Sequence, residues 1–467
     1  MSIDEGTKRR LVVGLVTNWV SKLSGSLIQF AQLSVLTHFW SLSLYGNWLI
    51  VTSIPTFLSF SNIGFGSVAG NEMTMAEARG DRETSLRVFQ SCWWLIVLIM
   101  VATGILVAVA LTFVPVATLL AIHEIDQVDA KWIIAYLGTS VMFGQLEQLL
   151  QASYRSIGRY SYGTFVKSMI SLVAFAAMLV PVVMGHGPRT AALVFACANV
   201  TGTVILAIMV SQQISWIRFG FHYASFAEIK RLAPPAFAFM GFPMGNALNL
   251  QGTLQVVGYA LGADAVAIFA TARTVSRIAL QMVQMINNTF EPEFSKSFGG
   301  GHVDLVRSLH RRACQMGLVI AFGVVATIVL GGPYLLNHLT HGKVPPSREL
   351  LAILLLVVIA FSLWNTSSTI LTATNQHKRL ATVYVGATGL TVLATYIMAK
   401  HFGLLGAAAS LLLSELLMNL YVLPATLRIA HDTFPAFFRS LFQVPPALHP
   451  RALLRRIKRT GRPALES

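Results

Sequence analysis

Roughly twelve stretches of mainly apolar residues follow one another between residues 11 and 427, each near the length of about 20 residues that crosses a bilayer. They lie near 11–37, 45–69, 88–111, 131–153, 162–183, 190–211, 231–257, 264–289, 313–332, 350–371, 380–399 and 405–427. In hydrocarbon, backbone N–H and C=O groups find no water, so repeated segments of this length can only be helices. Of the whole chain 55 % is hydrophobic and 11 % charged, a balance that suits a membrane protein and not a soluble domain. The expected fold is therefore all-α and membrane-integral, with about 12 transmembrane helices.

The formal charge of +15 would suggest nucleic acid in a soluble protein. Its distribution gives a better account. With the N-terminus inside, 25 of the 34 Lys and Arg fall on the cytoplasmic side, 5 on the other and 4 within helices. This is the positive-inside bias, and twelve spans bring both termini to the cytoplasm. No nucleic-acid partner is expected. The start, SIDEGTKRR, leads into a full-length span without an Ala-x-Ala cleavage site, so the first helix is expected to be retained. Cys92, Cys197 and Cys314 share no close spacing and read as small core residues, not as a redox or metal site. From Phe434 the chain turns short, aromatic and basic (FPAFFRSLF, then RALLRRIKR), a composition that suits anionic lipid headgroups.

The sequence also repeats itself at an offset of 221. THFWSLSLYGNW (37–48) lies over GYALGADAVAIF (258–269), NEMTMAEARGD (71–81) over PEFSKSFGGGH (292–302), and LLQASYRSIGR (149–159) over ILTATNQHKRL (370–380). Six spans per repeat is an even number, so both halves enter the membrane in one orientation, as in parallel-repeat transporters. The resulting division is an N-terminal six-helix lobe (1–212), a cytoplasmic linker (213–230), a C-terminal six-helix lobe (231–428) and a basic tail (429–467), with a cleft between the lobes. All loops are short, and no catalytic domain fits in them.

Polar residues inside the spans mark what the cleft handles. In the eighth span Arg273, Arg277, Gln281, Gln284 and Asn288 fall at about 0, 40, 80, 20 and 60° on a helical wheel, one face that cannot point at lipid. Arg273 and Arg277 lie roughly 14 and 20 Å below the outer end of that helix. A charge at such depth costs at least about 2.5–3.5 kcal/mol, so it normally faces a bundle interior or water. In the first span Asn18, Lys22, Gly25, Gln29 and Gln32 share a similar arc. The seventh adds Asn246, Asn249, Gln251 and Gln255, less tightly aligned. Arg273 and Arg277 could instead pair with Glu147 or Glu415 as buried glue, and those two acids could equally be structural or couple an ion. Asp264 reads as a helix cap, and Lys167 sits where it can snorkel.

Arginine forks match phosphate oxygens, and Asn and Gln stripes match hydroxyls. The candidate sites follow: Arg273 and Arg277, assisted by Lys22, for a diphosphate; Asn18, Gln29, Gln32, Gln251, Gln255, Gln281, Gln284 and Asn288 for a glycan path; Glu147 and Glu415 for ion coupling. No GxxxxGK[ST], HExxH or nucleophile–base pair occurs, and the histidines show no ligand spacing. GFGSVAG (64–70) has the wrong spacing for a dinucleotide fold, and Gly66 and Gly70 read as places of close helix approach. No enzyme activity, metal or cofactor is expected.

The element LTHFWSLSLYGNWLIVTSIPTFLSFSNIGFGSVAGNEMTMAEARGD resembles the start of the bacterial polysaccharide flippases. It has their aromatic-Gly pair (Tyr45, Gly46), polar-plus-Gly element (Asn62, Gly64) and Gly-Asp loop (Gly80, Asp81). FEPEFSKSFGGG (290–301) resembles their Pro-containing exit from helix 8, and the likeness covers most of residues 10–430. This is the O-antigen and exopolysaccharide branch of the multidrug/oligosaccharidyl-lipid/polysaccharide exporters. The resemblance implies two V-shaped lobes in the bacterial inner membrane. It also implies passage of undecaprenyl-diphosphate-linked oligosaccharide from the cytoplasmic to the outer leaflet. Membrane lipids, a polysaccharide polymerase and a chain-length regulator are the partners it suggests. Many members carry Asp where Asn62 stands, so a charge-based role there is not carried over. Two other readings remain: a drug/cation antiporter of the same superfamily, and a non-transporting scaffold of a glycan-assembly complex.

Overall fold

A computed structural model describes residues 25, 27–58, 64–299, 301–345, 347–373 and 377–443. Among them, seven helices are long and apolar enough to cross a membrane. The first half comprises α1 (Leu27–Phe39), α2 (Leu42–Phe57), α3 (Phe65–Ala78), α4 (Arg82–Phe113), the short α5 (Val116–Leu119), α6 (Gln127–Ser156), α7 (Tyr160–Val183) and α8 (Pro188–Gln213). The second comprises α9 (Phe226–Ala247), α10 (Thr253–Leu261), α11 (Ala263–Gly299), α12 (Val303–Leu339), α13 (Arg348–Ala373), α14 (His377–Ile429) and α15 (Phe434–Leu441).

Helix starts follow local chemistry. The side chain of Ser41 accepts from the N–H of Leu44 (3.0 Å), that of Asp81 from Thr84 (3.0 Å) and that of Asp126 from Asp129 (2.6 Å). Each satisfies one of the N–H groups a helix start leaves open. The 221-residue repeat is visible in the element boundaries. Adding 221 to the starts of α2, α4 and α6 (42, 82, 127) gives 263, 303 and 348, where α11, α12 and α13 begin.

Three departures from the sequence expectation concern helix continuity. The span expected over 45–69 is two helices, α2 and α3, and Gly64 ahead of α3 adopts φ 64°, a left-handed conformation that glycine accepts without strain. The seventh span, expected as one helix from 231 to 257, contains a π-turn over Leu248–Gly252 between α9 and α10. α14 unites the two spans expected over 380–399 and 405–427, with Gly403 non-helical (φ 61°, ψ −144°) where they meet.

The lobes join tightly at one end, the one that carries the α1–α2, α10–α11 and α12–α13 turns. One apolar core there draws Leu36, Trp40 and Trp48 from the first half together with Val266, Phe269 and Leu336 from the second. α2 and α11 touch backbone to backbone: a Cβ built on Gly46 would lie 1.9 Å from the Ala263 carbonyl oxygen. Gln255 of α10 donates to the Ile50 carbonyl at 2.8 Å and to the Ser53 hydroxyl. Lys343 donates to the His38 and Trp40 carbonyls at 3.1 and 3.0 Å, closing the C-terminal end of α1. Under the positive-inside reading this is the outer end.

At the other end the first turns of α9 belong to the core of the first half. Ile229, Leu232 and Ala236 pack with Val88, Phe89, Leu206 and Val210. Arg231 bridges Glu72 of α3 at 2.8 Å and Glu228 at 2.7 Å. The segment read as a linker (213–230) is folded against α4: Gln90 donates to the Arg218 carbonyl and accepts from the Tyr223 N–H, and the Ser91 hydroxyl accepts from the Ser225 N–H. Its last five residues already form the start of α9.

Candidate functional site

The polar face of the eighth span opens into a cavity of about 90 Å³. α11 contributes Arg273, Ser276, Arg277, Gln281 and Gln284; the end of α9 and the π-turn add Asn246 and Asn249; α13 adds Phe361; α14 adds Tyr384 and Glu415. Arg273, Arg277, Gln281 and Gln284 of the helical-wheel face read from the sequence line this cavity, which is built within the second half and not between the lobes.

The two arginines, alike in sequence, have different surroundings. Arg273 is only 8 % exposed and its guanidinium is filled with acceptors. It donates to the Asn249 carbonyl (2.8 Å), the Asn249 side-chain oxygen (2.5 Å), the Leu250 carbonyl (3.3 Å) and the Thr253 hydroxyl (2.9 Å). Its Cζ also stands 5.7 Å from the Phe269 ring centroid. A π-turn shifts the i→i−4 ladder and frees carbonyls. Arg273 collects those carbonyls, so it braces the bend and has little donor capacity left for a ligand. Arg277 lines the same cavity half-buried and makes no hydrogen bond or ion pair among the described residues. Among the described residues neither arginine forms a direct salt bridge with Glu147 or Glu415; Glu415 faces Arg273 across the same cavity wall.

Glu415 is buried in the cavity wall, accepting from the Trp364 indole N–H (2.6 Å) and the Ser414 hydroxyl (3.2 Å). Asn249 in turn reaches the Ser414 hydroxyl at 3.4 Å. A polar chain therefore runs Arg273–Asn249–Ser414–Glu415–Trp364 across four elements. Glu147 is buried separately in the first half, where it accepts from Thr203 at 2.9 Å. The two acids do not share a site.

The remaining candidates divide. Gln281 and Gln284 line the cavity. Gln255 is spent on α2 at the closed end, and Gln251 lies in the π-turn outside the cavity lining. Gln29 is exposed and Gln32 half-buried on α1, away from the cavity. Asn18 and Lys22 lie outside the described residues, as does Asn62; Asn288 belongs to α11, with its side chain outside the described set. Asp264 stands exposed in the first turn of α11, where a negative charge suits the helix dipole. Among the described residues no group of three or more His, Cys, Asp or Glu is placed to hold a metal ion.

The sequence reading missed Ser414, Trp364, Tyr384 and Thr253. None stands out in a helical run, and their roles come from contacts between elements. The poor alignment of Asn246, Asn249, Gln251 and Gln255 was the available sign of the π-turn, since one wide turn rotates everything after it.

A family model named MatE matches residues 246–397, which hold the cavity wall from Asn246 through Tyr384. No curated protein sequence matches significantly. Among solved structures, one described as the inward-facing conformation of a multidrug resistance MATE family transporter of the MOP superfamily superposes with a TM-score of 0.72, at 13 % identity, over 88 % of this chain and 96 % of that one. The outward-facing conformation of such a transporter gives 0.62 at 14 % identity, over 92 % and 97 %. A MOP superfamily transporter from Pyrococcus furiosus, described by the reverse polarity of its binding pocket and the different function this suggests, gives 0.61 at 13 % identity, over 91 % and 95 %. Two helical lobes, a repeat of the same orientation and these superpositions agree: the chain has the fold of the MATE transporters of the MOP superfamily.

Proposed function

We propose that this protein is a transporter, without covalent chemistry, whose cargo carries a negative charge, and that this cargo is a diphosphate-linked lipid oligosaccharide crossing from the cytoplasmic to the outer leaflet of a bacterial inner membrane. The observation that carries the reading is Arg277, a cation set in a membrane helix without a hydrogen-bond or ion-pair partner among the described residues and facing a cavity lined by Asn and Gln side chains. An unpaired buried charge is costly, and an arriving phosphate offsets that cost by bidentate hydrogen bonding. Arg273 positions the wall, and Gln281 and Gln284 meet sugar hydroxyls. Glu415, hydrogen-bonded into the chain that ends on Arg273, is the coupling group this arrangement favours over Glu147. The structure described by the reverse polarity of its binding pocket supports the idea that pockets of this fold differ in polarity and function.

A second reading, multidrug efflux, is supported by the structures to which the chain is similar, two of which are described as multidrug resistance transporters. The test separates the two. Purified protein in vesicles should move a fluorescent polyprenyl-diphosphate saccharide between leaflets, Arg277→Glu should abolish this while leaving the protein in the membrane, and Arg277→Lys should retain part of it. Efflux of cationic dyes that survives Arg277→Glu, with no lipid movement by the parent protein, would replace the first reading with the second.

A further inference from the structure

Helix α15 has two unlike sides. Underneath, Phe437 is fully buried among Cys314, Leu423 and Leu427. Its ring stacks on the buried His310 ring at 4.9 Å with an interplanar angle of 12°. Below it, His310 Nε2 meets the Ser367 hydroxyl at 3.0 Å, and Cys314 Sγ meets the same hydroxyl at 3.4 Å. The helix is tied down at both ends. Arg311 donates to the two Asp432 carboxylate oxygens at 2.5 and 2.8 Å, and Gln315 donates to the carbonyls of Ser440 and Gln443. On the outer side Phe434, Phe438 and Phe442 are exposed, the first two stacked with centroids 6.3 Å apart. At about 100° per residue the three share an arc of roughly 80°, with the exposed Arg439 about 60° beyond it. An exposed aromatic stripe on a short basic helix is unusual for water and ordinary for the headgroup boundary of a bilayer.

The chemistry of the chain beyond it selects the partner. From Thr433 to Leu465 the sequence carries no Asp or Glu, and its seven cations are Arg439, Arg451, Arg455, Arg456, Lys458, Arg459 and Arg462. We propose that α15 is a docking surface for an anionic phospholipid bilayer surface, and that lipid contact seats Phe437 over the His310–Ser367–Cys314 cluster and so fixes this end of α12 and α13. The phenyl stripe enters the acyl boundary and Arg439 meets headgroup phosphates, while the positive charge of the sequence that follows strengthens attraction to an anionic surface. The charge of the leaflet thereby reaches helices that pack directly against the cavity wall.

Cys314 reports the seat. The full chain with the exposed Cys197 changed to Ser is placed in phosphatidylcholine vesicles with or without phosphatidylglycerol, and maleimide labelling of Cys314 is followed by mass spectrometry. Phosphatidylglycerol should slow labelling at least about fivefold, the effect of the surface attraction of a single cation, and high salt should erase the difference. Arg439→Gln combined with removal of the residues after Gln443 should abolish the lipid dependence while parent-like labelling in phosphatidylcholine shows that the fold is intact. Phe437→Ala should speed labelling in both lipids. Equal rates for the parent in the two vesicles, or a lipid dependence that survives loss of the cations, would overturn the proposal.

Discussion

Arg273 donates to both the carbonyl and the side-chain oxygen of Asn249, at 2.8 and 2.5 Å, and so pins the π-turn between α9 and α10 to α11. Arg277, one helical turn further on, has no such partner among the described residues. The pair therefore makes opposite demands on stability. Arg273→Met strips the donors from the Asn249 and Leu250 carbonyls and from Thr253, a loss of about 1–3 kcal/mol for unsatisfied buried groups. Arg277→Met removes a charge that insertion scales put at about 2.5–3.5 kcal/mol near mid-membrane, so it should leave thermal stability unchanged or raised. Unfolding midpoints in detergent distinguish the two. A drop for Arg277→Met as large as that for Arg273→Met would mean that Arg277 is structural.

The Gly46–Ala263 contact sets whether the lobes can meet. No side chain fits there, because the added Cβ would lie 1.9 Å from a backbone oxygen that cannot swing aside. Gly46→Ala should therefore spread α2 from α11 and shift the protein toward the form open at this end. A cysteine replacing Ser53, which is buried and accepts from Gln255, should react faster with a water-soluble maleimide in the Gly46→Ala background. Unchanged reactivity would show that the helices pass each other without this close approach being needed.

The all-helical class and the two-lobe repeat were legible in the sequence because both rest on period and length, which the bilayer enforces residue by residue. The cavity face of α11 was legible for the same reason: Arg273, Arg277, Gln281 and Gln284 obey one 3.6-residue period. What periodicity cannot express is who neutralises whom. Arg273 and Arg277 look equivalent on the wheel, and only the π-turn of a different helix separates them. That turn, the break at Gly64 and the partners of Glu415 arise from tertiary packing. The seventh span carries no proline at its π-turn, and the residues around Glu415 are ordinary for a membrane helix.

Asp432 offers a test by pH outside the spans. Burial acts to raise its pKa, but the Arg311 hydrogen bonds and the Thr433 N–H outweigh it and hold the carboxyl below the ordinary carboxylate range. A folded-state pKa below the unfolded value contributes stability that is present above about pH 4 and is lost as pH falls through the lower, folded value. The parent should thus be more stable than Asp432→Asn at neutral pH, and the gap should close on acidification below about pH 4. Parallel unfolding series at several pH values measure the gap; one that stays constant into that range would remove the Arg311–Asp432 pair from the account of how α15 is held.

Gly403 and Gly386 both lie on α14, and a Cβ built on either meets nothing within 4 Å. Contact clashes therefore predict no difference between them. Backbone conformation predicts a large one. Gly403 sits at φ 61°, ψ −144°, a region essentially closed to other residues, where the two spans of α14 change direction. Gly386 is an ordinary exposed helical position. Gly403→Ala should cost about 1–3 kcal/mol, whereas Gly386→Ala should gain up to about 1 kcal/mol by removing the excess freedom of the unfolded chain. The unfolding midpoints should move in opposite directions. If both substitutions stabilise, the chain passes Gly403 in a helical conformation and α14 is one continuous rod, which would also remove the turn that brings Glu415 back alongside Trp364.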